Sequence, residues 1–179
     1  MSDLTDVIVG TAWSMIDSPL GPLLVTAEDG AVTRLWMSQQ RHQVTEPDAA
    51  WARDDEAFAE LAKQLEAYFA GERTAFDLPL APAGTPFQRE VWTALRTIPY
   101  GMTCSYGELA VQIGRPGASR AVGLANGRNP ISILIPCHRV IGSTGTLTGY
   151  GGGLERKRWL LDLEVGAAQL GSGSAGFGQ

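Results

Sequence analysis

A small α/β unit followed by a mostly helical one is the fold this 179-residue sequence predicts, and three observations point to it. First, two short runs of β-type residues, 22–27 (PLLVTA) and 31–37 (AVTRLWM), flank Glu28, Asp29 and Gly30 in the manner of a hairpin. Second, a stretch rich in proline and small residues, 78–86 (LPLAPAGTP), reads as a linker, and capped helical patterns follow it. Third, the charges divide at the same place: residues 1–83 have a balance of −9 and residues 84–179 a balance of +4, within a total of −5. An acidic half joined to a basic half is expected where only the second half meets phosphates.

Each element has its own signal. Over residues 54–70, Phe58, Leu61, Leu65, Tyr68 and Phe69 recur at helical spacing, and Gly71 stands where a C-cap glycine belongs. That helix is expected to pack on the early sheet. After the linker, Thr85, Pro86 and Gln88 form a capping pattern, and Phe87, Val91 and Leu95 share one face of a helix over about 86–97. Ser105 and Glu108 make a second capping box, whose helix stops at Gly114. A turn at Arg115, Pro116 and Gly117 leads into a helix over 118–126 that is rich in small residues. Two short helices around a tight turn are a helix-turn-helix candidate, although αα-hairpins are common in proteins that never bind DNA. A last helix is expected over about 154–164, and the Gly/Ser/Ala-rich end, 167–179, is expected to be disordered. The domains are therefore read as 1–83 and 84–166, with the tail beyond.

Composition narrows the setting. Hydrophobic residues make up 44% of the chain, enough for a real core, while apolar runs such as 131–136 are far too short to span a bilayer. The opening residues lack the basic start and apolar stretch of a secretory signal, and there are two cysteines, so a reduced cytoplasm is the expected location. Cys104, Cys137, His42 and His138 show no paired ligand spacing, so no metal is expected. No GxGxxG or GxxxxGK[ST] pattern occurs, and no nucleotide cofactor is expected.

The chemistry concentrates in 133–140 (ILIPCHRV). A buried cysteine is ordinarily inert core. A thiol becomes a strong nucleophile where a base or a cation favours the thiolate, and His138 and Arg139 are the adjacent candidates. Neighbouring side chains seldom point the same way, so His138 is expected to reach the sulfur through a water. Its other nitrogen wants a carboxylate, for which Glu164 and Asp162 are both candidates. Cys104, just before the capping Ser105, reads as a small half-buried residue.

NPISILIPCHRVIG (129–142) and LTGYGGGLERKRWLL (147–161) resemble the active-site region of the 6-O-alkylguanine-DNA alkyltransferases, the methylated-DNA–protein-cysteine methyltransferases. The similarity extends through TPFQREVWTALRTIPYGMTCSYGELA (85–110) and SRAVGLANGRNP (119–130), and more loosely into 18–37 and 65–80. It implies a ribonuclease-H-like first domain, with a small antiparallel sheet plus helix, and a winged helix-turn-helix in the second. It also implies Cys137 as alkyl acceptor, His138 as the base acting through water, Glu164 as the carboxylate that orients it, and Asn129 as a brace behind the cysteine loop. Tyr106 would meet the base ring and assist nucleotide rotation. Arg120 would fill the vacated stack, with Ala121, Gly123 and Ser105 beside it at the DNA, and Tyr150 and Gly151 would line the alkyl pocket. Gly151 stands where some relatives have serine, Thr144 and Thr146 vary a turn, and the extra ligands of zinc-carrying members are missing. Neither zinc nor another cofactor is implied.

Three function classes can be compared. A self-alkylating repair enzyme, working once per molecule on 6-O-alkylguanine and 4-O-alkylthymine in double-stranded DNA, fits every feature. An alkyltransferase-like damage-binding protein would lack the cysteine. A cysteine hydrolase would need a histidine further downstream, and His138 is the last histidine in the chain. The expected partner is duplex DNA carrying alkylated bases, with no membrane, and the protein is expected to act as a monomer.

Overall fold

The structure is a computed structural model that describes residues 10–42 and 46–172. The opening residues 1–9, on which the expectation of no export signal rests, and the end of the expected tail, residues 173–179, lie outside the described part.

In the first half, β1 (Ala12–Ile16), β2 (Leu23–Glu28) and β3 (Ala31–Met37) form an antiparallel meander. The two-residue β4 (Ala52–Arg53) adds to β1 in parallel, giving the order β3-β2-β1-β4. Asp29 and Gly30, with φ of 48° and 78°, make the two-residue turn that the hairpin pattern predicts. One face of the sheet presents Leu23, Val25, Leu35 and Met37, which pack with Phe58, Leu61, Leu65 and Tyr68. The last three belong to α1 (Ala59–Phe69), which follows a single 3-10 turn, Glu56–Phe58. β1 and β4 are not legible in the sequence, because neither shows a sustained alternation.

The stretch over 78–86 is not a free linker. Val32 N–H donates to Pro79 O (2.9 Å) and Ala81 N–H to Val32 O (2.8 Å), with Leu78 and Leu80 against the core. Further along the same edge, Leu35 N–H donates to Pro130 O (2.9 Å) and Ser132 N–H to Leu35 O (3.1 Å). The physical reason is that β3 is an edge strand whose backbone groups need partners, and both segments supply them. The edge of the first half thereby fixes the chain five residues before Cys137.

The second half contains α2 (Pro86–Leu95), α3 (Tyr106–Gln112) and α4 (Ser119–Gly127), and both expected capping boxes are formed. Val91, Trp92, Leu95, Leu109, Ala110, Val122 and Ala125 make their common core, and Trp92 Nε1 donates to Ala125 O (2.8 Å). Beside the helix-turn-helix, β5 (Cys104–Ser105) pairs in parallel with β6 (Val140–Ile141). The final helix, α5 (Leu154–Ser172), runs past the expected stop at 164 and takes up the first part of the expected disordered tail. Residues 165–170 (VGAAQL) include good helix formers and no proline, and Ala167 lies where a side chain on Gly71 would touch it at 3.3 Å. No described helix is long and apolar enough to cross a membrane.

Candidate active site

Cys137 opens a single 3-10 turn, Cys137–Arg139, whose three side chains are all buried. The preceding segment is held tightly. Asn129 donates from Nδ2 to Ile135 O (2.8 Å) and accepts Ile131 N–H on Oδ1 (3.0 Å). Ile133 takes a φ of 74°, which a β-branched side chain rarely adopts. The strain lies four residues before the candidate nucleophile, where such outliers tend to collect.

His138 and Glu164 are both fully buried, and His138 Nε2 lies 2.7 Å from Glu164 Oε1. An ionised carboxylate only accepts, so Nε2 carries the hydrogen and Nδ1 is left as the basic nitrogen. Nδ1 has no partner among the described residues. Burial would raise the pKa of Glu164, but hydrogen bonds from His138 and Arg139, together with their charge, outweigh it and hold the group at about 2. Burial lowers the pKa of His138 despite the pull of Glu164, so the pair rests as a neutral imidazole against a carboxylate.

Arg139 does not serve the sulfur as a cation. Its Nε donates to Glu164 Oε2 (2.9 Å), Nη2 to Oε1 (2.9 Å) and Nη1 to Ile98 O (2.8 Å). The cation whose charge favours a thiolate at Cys137 is instead Lys157, a residue outside the expected site. Lys157 is fully buried and donates to Val140 O (2.6 Å) and Thr148 O (2.8 Å). Burial pushes the Cys137 thiol up, while Asn129 and the Lys157 charge pull it down without overcoming burial. The resting sulfur therefore keeps its proton and needs a base. A helical count could have found Lys157: it lies seven residues before Glu164, with buried Leu160 between them on the same stripe.

Tyr150 is buried, its hydroxyl has no partner among the described residues, and burial raises its pKa well above normal. The pocket loop is tied to the first half. Arg41 N–H donates to Gly151 O (2.9 Å), and Arg156 Nη1 donates to Ser38 O (2.7 Å). Gln40 Nε2 donates to Ser132 Oγ (3.1 Å). A side chain on Gly151 would meet Gln40 at 3.3 Å.

The residues expected to face DNA lie on α3, α4 and the residue that caps α3. Arg120 and Ala121 are exposed on α4, Gly123 lies under the Tyr106 ring, and the Tyr106 hydroxyl is 3.4 Å from Thr148 O. Ser105 is largely committed to its cap, accepting Glu108 N–H at 3.1 Å. Leu124 (71% exposed) and Arg128 extend the Arg120 stripe at four-residue spacing, a periodic signal present in the sequence itself. Among the described residues, no group of three His, Cys, Asp or Glu side chains could hold a metal.

Comparison with known proteins agrees on both halves. Residues 11–82 match the model of the 6-O-methylguanine DNA methyltransferase, ribonuclease-like domain, and residues 86–166 match that of the 6-O-methylguanine DNA methyltransferase, DNA binding domain. The methylated-DNA–protein-cysteine methyltransferase of Mycobacterium bovis is 57% identical over 153 residues, covering 86% of this chain and 92% of the relative. That of Methanosarcina acetivorans is 51% identical, covering 85% and 97%. The crystal structure of Mycobacterium tuberculosis OGT in complex with DNA is 55% identical, with a TM-score of 0.82 over 87% of this chain and 94% of that one.

Proposed function

Because the chain belongs to the 6-O-methylguanine DNA methyltransferase family, we propose that Cys137 is the acceptor in its repair of DNA by alkyl transfer, and that each molecule accepts one group. The observation that carries this reading is the His138–Glu164 pair at 2.7 Å, which leaves Nδ1 of the residue after Cys137 as the basic nitrogen, without a partner among the described residues. A water between Nδ1 and the sulfur takes the thiol proton to His138, and Glu164 holds the imidazolium that forms. The thiolate attacks the alkyl carbon, the carbon–oxygen bond breaks with its electron pair left on the base, and a proton taken up by the base restores guanine.

A guanine oxygen inside a duplex cannot meet this sulfur, so the nucleotide is turned out of the stack at a cost of about a few kcal/mol. Arg120 offsets part of that by occupying the gap, Tyr106 guides the base, and Tyr150 and Gly151 line its pocket. The exposed stripe of α4 faces the minor groove, where degenerate readout suits a protein that must find damage in any sequence. The reading needs no metal or cofactor and one copy of the chain, extends to 4-O-alkylthymine, and places the protein in the cytoplasm. It divides the chain at residues 83 and 84.

The test is to incubate the protein with an oligonucleotide carrying 6-O-methylguanine and weigh it intact. One added methyl group, located on the Cys137 peptide, is the expected result. Cys137→Ser should bind DNA and transfer nothing, and transfer above a few per cent by that variant would remove Cys137 as acceptor.

A further inference from the structure

Glu164 has a fourth hydrogen bond, and it comes from the other half of the molecule. Tyr68, on α1, is fully buried and donates its hydroxyl to Glu164 Oε1 at 2.7 Å across 96 residues of sequence. That oxygen already takes His138 Nε2 at 2.7 Å and Arg139 Nη2 at 2.9 Å. The ring is held in place by Phe69 (centroids 5.4 Å apart), Phe76 (5.3 Å) and Tyr100 (6.1 Å, perpendicular). Nothing in the transfer step as described above uses this group.

We propose that Tyr68 is a positioning residue through which the first domain tunes the relay: its hydroxyl takes up part of the charge on Glu164 Oε1 and so limits how strongly that carboxylate can hold a proton on His138. Hydrogen bonds to the ionised form of a carboxylate make it a poorer acceptor for the next donor. Each donor on Oε1 therefore weakens the attraction felt by the imidazolium. Tyr68 is suited to this because it stays a donor at every working pH: burial and the Glu164 charge push its own pKa far above the ordinary phenol value. The remaining charged and titratable groups around the pair are Arg139 and Lys157 facing His138, and Tyr100, Arg139 and Tyr150 facing Glu164. None of these comes from α1.

The proposal rests on the His138 relay described above, and its test is separable from it. In Tyr68→Phe the ring packing is kept and only the hydroxyl is lost, so Oε1 has more charge to offer His138 and the imidazole becomes more basic. The acid limb of the transfer rate should then move to higher pH by about half a unit to one unit, a shift typical of losing one hydrogen-bond neighbour. Rates near pH 8 should stay within about twofold while those on the limb fall by up to tenfold. The His138 imidazole, followed by nitrogen NMR without any DNA, should titrate at correspondingly higher pH. Replacing Tyr68 with 3,5-difluorotyrosine, a stronger donor of the same shape, should move both readouts the other way. A purely structural tyrosine would lower the melting temperature of Tyr68→Phe and leave both pH readouts in place, which would overturn the proposal. Loss of transfer in the unsubstituted protein would instead overturn the relay, and the imidazole titration would still report on Tyr68.

Discussion

An ammonium without a carboxylate beside it is costly to bury, and Lys157 is fully buried with the carbonyls of Val140 and Thr148 as its hydrogen-bond acceptors. Burial lowers its pKa to about 8, while a thiolate at Cys137 would pull that value up. The ammonium should therefore be lost as pH rises through about 8, and with it the attraction for the thiolate. The transfer rate is expected to fall again above pH 8, and Lys157→Met to be slower below that pH with no such limb. Each pKa unit of support removed from the thiol is about tenfold in thiolate. Acid stability involves the neighbouring pair. The folded pKa of His138 is lowered, so below its ordinary 6.5 the unfolded chain binds a proton that the folded one refuses, and stability begins to fall. Glu164 is held at about 2 against an ordinary 4.5, so its contribution is complete above 4.5 and is lost as pH falls from there toward 2. Melting temperatures are expected to decline in these two stages. Glu164→Gln should remove the lower one. Cys137, His138 and Asn129 were legible because they sit in one motif, whereas spacing left Asp162 open beside Glu164 and only the family resemblance chose between them. Tyr68 was not legible, because the direction a tyrosine faces depends on packing that no local pattern records, and Lys157 was open only to a helical count back from Glu164.

At the scale of elements, the site is a meeting of pieces from both halves, and two of them can be told apart by the substrate used. On the proposed reading, the α4 stripe carrying Arg120 acts only where a nucleotide must leave a duplex. Arg120→Ala is therefore expected to slow repair of duplex DNA by at least tenfold more than dealkylation of free 6-O-alkylguanine. The start of α5 is different, because Arg156 ties it and the pocket loop to Ser38 through Nη1 to the carbonyl and Nη2 to the hydroxyl (3.0 Å). Arg156→Ala should loosen the pocket itself and slow both substrates to a similar degree, with a stability loss of about 1.5 to 3 kcal/mol for each charged hydrogen bond removed. Parallel single-turnover assays on the two substrates would check both expectations, and equal slowing in Arg120→Ala would refute its place in flipping. The capped helices and the hairpin were readable because their signals are local. The docked 78–86 stretch was not, since its partner is the edge of a strand more than forty residues earlier, and its prolines mark a turn-rich segment without saying where it rests.

For the molecule as a whole, the question is whether anything in it could return Cys137 to use. Attack on the alkyl carbon leaves a thioether, which water does not hydrolyse at neutral pH, in contrast to the thioester of a cysteine hydrolase. Regeneration would need a second nucleophile strong enough to take the group. Cys104 is the only other thiol in the chain, and burial with the nearby Glu108 charge raises its pKa to about 11, so it remains protonated and weakly reactive. Transfer to it would in any case move the group to another dead end. The alkylated site also carries a cost, because Cys137 is only 4% exposed and an added carbon must fit among packed neighbours. Overpacking of this kind costs roughly 1 to 3 kcal/mol. Two results are expected together. Titrating methylated oligonucleotide against a fixed amount of protein should give a burst that ends at or below one alkyl group per chain, with no slow phase at large substrate excess. The protein recovered from that titration should melt at a lower temperature than the starting material, by about 2 to 4 °C if the cost is near 1 kcal/mol. Steady product beyond one equivalent would mean that the sulfur is released by a route the structure does not show, and an unchanged melting temperature would mean that the pocket takes the added carbon without strain.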